Sequence, residues 1–468
     1  MAVMAPPSTP AVTRTARPGI VLAIVLVSYF MIVLDNSIVF TGLTRIREDL
    51  SFTTSGLSWV QNAYALVFGG LLLLAARAGD IVGRRRMFLT GLTIFAAASL
   101  LIGVAPTSEW MIASRALQGI GSAILAPTSL ALLTAHFPAG PERTKAIAAY
   151  GSTAGIGASL GLVVGGVLAD LTSWRVGFLI NVPIGIALAI ATLVYIRETS
   201  RLNGRFDVLG ALLSTVGMTV LVFGVTRTAD EGWNDVIALT FLAVGLGLLV
   251  VFVLVELRAA QPILPMRVFT SGVRGGAFIS RMAFAGAIFG YFFFISQYMQ
   301  TVLGFSPLQA GLAFLPMTVV QFTLSLLVPR LTRRFGNTAL VATGLAVTFA
   351  GMVWLSFIGP DSAYWTAVAL PMLLLGAGQG LGFAPLTAAG VAGIDARDAG
   401  AASGAVNVAH QLGGALGVSI MVAVASAVTP MEDVAAEAPA GIATGAALLG
   451  LALLSAVALV IPGSRRAR

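Results

Sequence analysis

Two charged residues, Asp35 and Arg115, lie inside long apolar stretches of the sequence. An aspartate at the centre of a membrane-spanning helix costs about 2.5–3.5 kcal/mol on insertion scales, so its presence there calls for a reason. A carboxylate shielded from water can hold a proton at neutral pH and release it when a cation or water arrives, which makes Asp35 a candidate proton switch. The alternative is a structural carboxylate that is hydrogen-bonded to a neighbouring helix.

Arg115 is the positive counterpart of Asp35, and its apolar stretch continues too far for the side chain to reach water easily. It is either a fixed charge that biases a nearby carboxylate or ligand group, or a static clamp on backbone carbonyls. We predict that Asp35 and Arg115 carry proton coupling, and the sequence leaves open whether they pair. Arg281 lies near the end of its stretch, from which its side chain can extend to water. His410 is interpreted as a packing residue, with a charge switch at about pH 6.5 as the alternative.

The composition defines the class of protein that holds these charges. Of 468 residues, 57% are apolar and 10% are charged, whereas an ordinary soluble domain has about 25% charged residues. The mean hydropathy is +0.95, and we predict an all-α membrane protein. Cysteine is absent, histidine occurs twice, and the one lysine, Lys145, follows Thr144. These facts exclude disulfides, cysteine-ligated zinc and a phosphate-binding loop, so we predict no metal, no cofactor and no catalytic site.

Apolar runs of about 20 residues are long enough to cross a hydrocarbon core of roughly 30 Å. We predict fourteen such segments, near residues 19–40, 55–76, 87–105, 110–135, 147–169, 176–196, 207–226, 236–256, 276–300, 308–329, 338–358, 364–391, 399–428 and 440–462. Lysine and arginine concentrate in the loops on one side of these segments, and the loops on the other side hold Arg45, Arg47, Arg175 and Arg227. Positive residues favour the cytoplasmic side, so both termini are predicted to be cytoplasmic in a multi-pass protein of the cytoplasmic (inner) membrane.

Two short patterns recur in the second part of the chain. The residues QGIG at 118–121 return as QGLG at 379–382, and the Gly161-xxx-Gly165 spacing returns as Gly413-xxx-Gly417. Repeats of this kind underlie many transporters, in which the substrate site lies between the halves; chance similarity of glycine-rich helices is the alternative. We therefore divide the chain into a cytoplasmic tail (1–18), a six-helix half (19–200), two inserted helices (201–270), a second six-helix half (271–462) and a cytoplasmic tail (463–468).

Several motifs resemble those of the major facilitator superfamily, and in particular its fourteen-helix drug:proton antiporter branch. The similar stretches are residues 34–39 (LDNSIV), 76–86 (ARAGDIVGRRR), 115–121 (RALQGIG) with Pro127, 174–175 (WR), 181–185 (NVPIG) and 304–311 (GFSPLQAG). The resemblance implies a major-facilitator-type bundle with two six-helix halves plus two inserted helices. The sequence departs from the family pattern at Phe40, Thr44, Ala76 and Ile81. It also departs at Leu162, which replaces the proline of a helix 5 motif tied to export.

The resemblance also implies a cytoplasmic gate, built from Gly79, Asp80, Gly83, Arg84 and Arg85. The Asp80 carboxylate would face the positive N-terminal end of the thirteenth helix near residues 399–403, and this latch would break during inward opening. The alternative is that these arginines serve only to set the topology.

The glycines of the fifth segment leave one helix face almost without side chains. They are Gly157, Gly161 and Gly165, followed by Gly166. This face is either a sliding surface between the halves or ordinary close packing, and the two interpretations are compatible.

Candidate substrate-lining residues combine aromatic and polar side chains. Tyr291, Phe294 and Tyr298 share a predicted helix face beside Gln297, and such a face suits flat, amphipathic or cationic compounds. Lipid-facing aromatics or core packing are the alternatives. Other predicted lining residues are Gln61, Asn62, Tyr64, Gln118 and His410.

The resemblance and the buried charges together predict a secondary transporter, not an enzyme, that exports hydrophobic or cationic drugs or antibiotics in exchange for protons. Its predicted partners are a small-molecule substrate, protons and the lipid bilayer, with no nucleic acid, and it is predicted to act as a monomer. The proton gradient would drive export without a cofactor. Two alternatives stay open: export of an endogenous metabolite with drugs incidental, and a non-transporting sensor or scaffold on the same fold.

Overall fold

The chain forms a helical bundle in a computed structural model that describes residues 18–137, 140–198, 206–259, 261–395, 398–428 and 433–466. Fourteen stretches in these ranges are long and apolar enough to cross a membrane, which confirms the predicted number. Some of the arginines that we count on the predicted cytoplasmic side lie outside the described ranges, namely Arg14, Arg17, Arg201, Arg205, Arg397 and Arg468. The helices are α1 (Pro18–Leu50), α2 (Thr54–Val82), α3 (Arg84–Gly103), α4 (Ser108–His136), α5 (Pro141–Leu171), α6 (Trp174–Leu179), α7 (Asn181–Tyr195), α8 (Val208–Glu231), α9 (Val236–Arg258), α10 (Gly272–Thr301), α11 (Pro307–Ala313), α12 (Leu315–Phe335), α13 (Asn337–Leu355), α14 (Leu370–Gly390), α15 (Ala399–Val428), α16 (Val434–Ser455) and α17 (Ile461–Arg466).

Glycines determine how closely the helices of the first half approach each other. Gly119 of α4 lies against α2, and Gly121 lies against α3, so closely that an added Cβ would collide with backbone atoms. Gly161 and Gly165 of α5 lie against α1 in the same way. Small residues allow such close packing where apolar lipid offers no hydrophobic drive for helices to associate.

The second half repeats these contacts with the corresponding glycines. Gly380 of α14 lies against α12, Gly382 lies against α13, and Gly413 and Gly417 of α15 lie against α10. The repeated sequence patterns therefore have the same packing role in each half, and the fold is the predicted bundle of two six-helix halves with two inserted helices.

The two inserted helices, α8 and α9, pack on each other, and α8 also packs on α2 and α15 at the seam between the halves. Gly224 of α8 lies against the backbone of α9, and Thr215 of α8 lies against Gly70 of α2. Farther along α8, the Thr226 hydroxyl is 3.1 Å from the Ser419 hydroxyl of α15. Helix α8 thus covers the line along which α2 and α15 meet, and α9 packs on α8.

The glycine face of α5 corrects one sequence interpretation. Gly157, Gly161 and Gly165 pack against α1, which belongs to the same half, so this face is not a sliding surface between the halves. The contact with the other half comes from the adjoining face, where Gly166 lies against Pro307 and Leu162 lies against Gly311. Leu162, which stands where the family has proline, is therefore an interface residue.

The turn before α11 is built from its own residues and also joins the two halves. Gly304 adopts a φ of +67°. Oγ of Ser306 accepts the Gln309 N–H at 3.3 Å, and the Gln309 side chain accepts the Ser306 N–H at 2.9 Å, which is a capping box. The Ser306 hydroxyl also donates to the Asp170 carboxylate of α5 at 2.8 Å.

Other hydrogen bonds between the halves lie at the same end of the bundle, opposite the described end of α1 at Pro18. The Ser296 hydroxyl of α10 donates to the Phe40 carbonyl of α1, and the Gln300 amide donates to the Thr41 carbonyl at 3.2 Å. The Phe40 ring also stacks on Phe292, with centroids 5.2 Å apart. The α1–α10 contact is therefore polar and aromatic at this end.

Candidate functional site

Asp35 of α1 and Arg115 of α4 form an ion pair inside the first half. Nη1 of Arg115 donates to Oδ2 of Asp35 at 2.9 Å, and both side chains are 0% exposed. The pairing that the sequence left open is thus present in the structure. Removing one partner of such a buried pair leaves an uncompensated charge and costs about 3–5 kcal/mol, so each residue depends on the other.

The Arg115 guanidinium is fixed by neighbours on α2 and on its own helix. Nε donates to the Val60 carbonyl at 2.8 Å, and Nη1 also donates to the Gln118 side-chain oxygen. The carbon at the centre of the guanidinium lies 4.3 Å from the centre of the Tyr64 ring, in a cation–π contact. Tyr64 and Gln118, which we predicted as substrate lining, therefore belong to the immediate surroundings of the ion pair.

The other oxygen of Asp35 accepts two amide hydrogen bonds. Its Oδ1 is 2.8 Å from Nε2 of Gln118 and 2.7 Å from Nδ2 of Asn181, at the start of α7. Ser99 of α3 accepts from the same two amides, at 2.8 and 3.3 Å. Sequence reasoning missed Asn181 and Ser99 as site residues. The available signal was the motif at residues 181–185, which we used for family resemblance but not for a role.

In this arrangement, a change in the protonation of Asp35 would change the charge balance around Arg115. A proton on Asp35 would cancel the negative charge and leave the buried guanidinium uncompensated. Arg115 would then move toward another acceptor or toward water, and its Nη2 group already has no hydrogen-bond partner.

Among the described residues, no group of three or more His, Cys, Asp or Glu side chains could hold a metal ion.

Gln61 and Asn62 of α2 lie outside this cluster and have separate partners. The Gln61 amide donates to the Asn36 side chain at 2.8 Å, and the Asn62 amide donates to the Ser419 hydroxyl of α15 at 2.7 Å. The side-chain oxygens of Gln61 and Asn62 have no hydrogen-bond partner. Asn62 therefore contributes directly to the seam between the halves.

The aromatic face predicted on α10 does not form one lining surface. Tyr291 donates to the Met317 sulfur of α12 at 3.3 Å, Phe294 packs against Gly441 of α16, and Tyr298 donates to a loop carbonyl. Gln297 donates to a carbonyl of its own helix at 2.9 Å. These side chains are buried within the second half, so core packing explains them better than substrate lining.

Arg281 does not extend to water as predicted, because α10 begins at Gly272 and places the residue deep within the bundle. Its side chain lies over the Phe383 ring of α14 at 3.7 Å, and the residue is 2% exposed. His410 of α15 contacts the same ring edge-on, with centroids 5.7 Å apart, and it contacts Phe289 at 5.4 Å. The aromatic contacts agree with the packing interpretation of His410.

The predicted gate motif surrounds the junction between α2 and α3. Asp80 accepts hydrogen bonds from Arg84 at 3.0 and 3.3 Å, so its partner in this structure is a residue of the same motif. The Glu198 carboxylate accepts the backbone N–H groups of Arg85 and Arg86 at 3.0 and 3.1 Å, which caps α3. Gly79 lies against Thr128 of α4. Gly83 has a φ of +119°, a conformation that favours glycine.

Comparison with known proteins gives matches that extend over most of the chain. The sequence profile of the Major Facilitator Superfamily matches residues 25–418. The chain is 39% identical to the cephamycin export protein CmcT of Amycolatopsis lactamdurans, over 96% of this chain and 93% of that protein. It is 37% identical to the puromycin resistance protein pur8 of Streptomyces alboniger, over 87% of this chain and 82% of that protein. Among solved structures, the chain shares its fold with a bacterial homologue of the human lysosomal transporter Spinster in an inward-facing, unoccupied conformation. The TM-score is 0.69 and the sequence identity is 16%, and the match covers 96% of this chain and 97% of that chain.

Proposed function

The chain belongs to the Major Facilitator Superfamily, and from that premise we propose that it exports hydrophobic or cationic drugs or antibiotics across the cytoplasmic membrane in exchange for protons. The names of its relatives support the export of antibiotics. We further propose that the chain works as a monomer without a cofactor, since a proton gradient can supply the energy. One charge moved through 100 mV is worth about 2.3 kcal/mol.

The proposal of proton coupling rests on the fully buried ion pair of Asp35 and Arg115. In the proposed cycle, Asp35 accepts a proton from the outside and releases it to the inside, and Arg115 changes partner as the carboxylate changes charge. Intramembrane ionisable residues commonly mark proton relays in transporters. The amides of Gln118 and Asn181 would keep the Asp35 side chain oriented while its charge changes.

Energised inverted membrane vesicles would test this function. We expect an added substrate to release protons from the acidified interior of vesicles that contain the protein, as reported by a pH-sensitive dye. Vesicles from cells without the protein should show no such release. Uptake of a labelled drug without proton release would contradict the antiport, and no response to a broad panel of antibiotics would contradict drug export.

We also propose that both termini are cytoplasmic. The hydrogen bonds between the halves at Ser306, Ser296 and Gln300 would then lie at the outer side of the membrane and hold that side closed in this structure. The Asp80–Arg84 pair is then the released state of the gate, and Asp80 would turn to the N-terminal end of α15 when the inner side closes. Free N–H groups at a helix N-terminus stabilise a nearby carboxylate by about 0.3–1 kcal/mol.

Cysteine labelling can test this gate, because the chain has no cysteine of its own. A Ser403→Cys reporter should react with a membrane-impermeant maleimide from the cytoplasmic side, and saturating substrate on the outer side should slow the reaction. We expect Asp80→Asn to remove this protection and the exposed Glu142→Gln control to keep it. Unchanged protection in Asp80→Asn would contradict the latch.

A further inference from the structure

Arg281 is a buried guanidinium without a counter-ion in the part of the chain that the structure describes. Its Nε and Nη1 groups have no hydrogen-bond acceptor, although the residue is 2% exposed. Arg115 is equally buried, but Asp35 offsets its charge. A desolvated cation is unfavourable unless an anion or several acceptors compensate it, so the surroundings of Arg281 lack a negative partner that a ligand could supply.

The side chains around Arg281 offer further contacts of the kind that a planar acid would use. The Phe383 ring stacks on the guanidinium at 3.7 Å and is itself 39% exposed, so the ring remains accessible. One turn earlier on α14, Gln379 is buried and its Nε2 group has no acceptor. Nδ1 of His410, whose ring touches Phe383, also has no partner.

The internal repeat allows the amide of Gln379, which has no acceptor, to be compared with an amide of the first half. Gln379 is the counterpart of Gln118 in the repeated QG pattern, and the Gln118 amide donates to Asp35 and Ser99 in the first half. The corresponding amide in the second half has no partner. The two halves thus share a position for a hydrogen-bond donor, but among the described residues only the first half provides a carboxylate that accepts from it.

The location of Arg281 also suits a transported ligand. Arg281 lies on α10, and α10 packs against α1, which belongs to the other half. Transporters of this kind bind their substrates between the halves. An anion held by Arg281 would therefore lie on a helix that contacts the other half.

We propose that Arg281, Gln379 and Phe383 form a subsite for the carboxylate of an amphipathic aromatic acid. The guanidinium and the amide bind the carboxylate, and Phe383 stacks on the attached ring. This inference rests on the proposed export function and extends its substrates from neutral and cationic compounds to organic anions.

Three fluorescent probes that share one ring system but differ in charge can test the subsite. Dansylglycine is an anion at pH 7, its methyl ester is neutral, and dansylcadaverine is a cation. We expect the purified full chain in detergent to bind dansylglycine at least about tenfold more tightly than the ester or the cation, as measured by dansyl fluorescence. This comparison needs no variant, so it does not depend on whether an altered protein folds.

Variants then assign the preference to the named residues. Arg281→Gln should reduce dansylglycine affinity about tenfold and leave the affinity for the ester unchanged, whereas Arg281→Lys should keep most of the preference. The exposed Arg330→Gln on α12 is the control for a general loss of positive charge. Equal binding of the three probes, no binding of any probe, or a preference that survives in Arg281→Gln would overturn the proposal. Because binding is measured without a proton gradient, a failure of proton exchange in vesicles would contradict the export mechanism and not this subsite.

Discussion

Asp35→Asn protein is expected to lose proton-coupled export while still binding substrate. Asparagine preserves the size of the side chain but cannot gain or lose a proton in the relevant range, so the exchange step has no carrier for the proton. We expect proton release from inverted vesicles to fall by about 100-fold or more, which corresponds to about 2.7 kcal/mol in the activation free energy. Dye-monitored proton release and substrate binding, measured on the same preparation, would separate the two effects.

The control for this prediction must account for the charge that Asp35→Asn leaves on Arg115. The double variant Asp35→Asn with Arg115→Gln removes both charges, and it should recover thermal stability without recovering exchange. The exposed acid Asp361 provides a matched Asp→Asn control, which should transport normally. Proton exchange at the normal rate in Asp35→Asn would rule out this carboxylate as the proton carrier.

A second large effect is expected at Gly161, where α5 meets α1. An added Cβ would lie 2.6 Å from Cβ of Ser37 and 2.9 Å from the Leu34 carbonyl, so Gly161→Ala forces the two helices apart. Overpacking of this kind costs about 1–3 kcal/mol. We expect Gly161→Ala to lower the thermal unfolding temperature and the yield of folded protein in detergent.

Gly151 of the same helix is a matched control, because an added Cβ there would have no atom within 4 Å. Alanine favours a helix over glycine by about 1 kcal/mol, so Gly151→Ala should keep or raise the unfolding temperature. The two substitutions are chemically identical, but they should change the unfolding temperature in opposite directions. Destabilisation of similar size at both positions would show that helix packing at Gly161 is not the cause.

Hydropathy was sufficient to predict the number of spans, and the cost of burying charge was sufficient to select Asp35 and Arg115. Neutral polar residues carry a much weaker signal, which is why Asn181 and Ser99 were missed although they complete the site. A glycine face shows that something packs closely, but it does not identify the partner, so the sequence could not choose between a surface between the halves and close packing within one half. Arg281 was misjudged because the sequence did not show that α10 begins at Gly272, four residues before the predicted segment.

The Ser306 hydroxyl takes part in two hydrogen bonds, and this has a consequence for how this end of the bundle can open. The hydroxyl accepts from Gln309 within its own turn and donates to Asp170 of the other half. Separation of the halves would break only the second hydrogen bond, and water could replace the lost partner on each side. The first turn of α11 would therefore survive opening as a rigid piece. The hydrogen-bonding part of the cost of separation at Ser306 is one charge-assisted hydrogen bond, about 1.5–3 kcal/mol before water compensates.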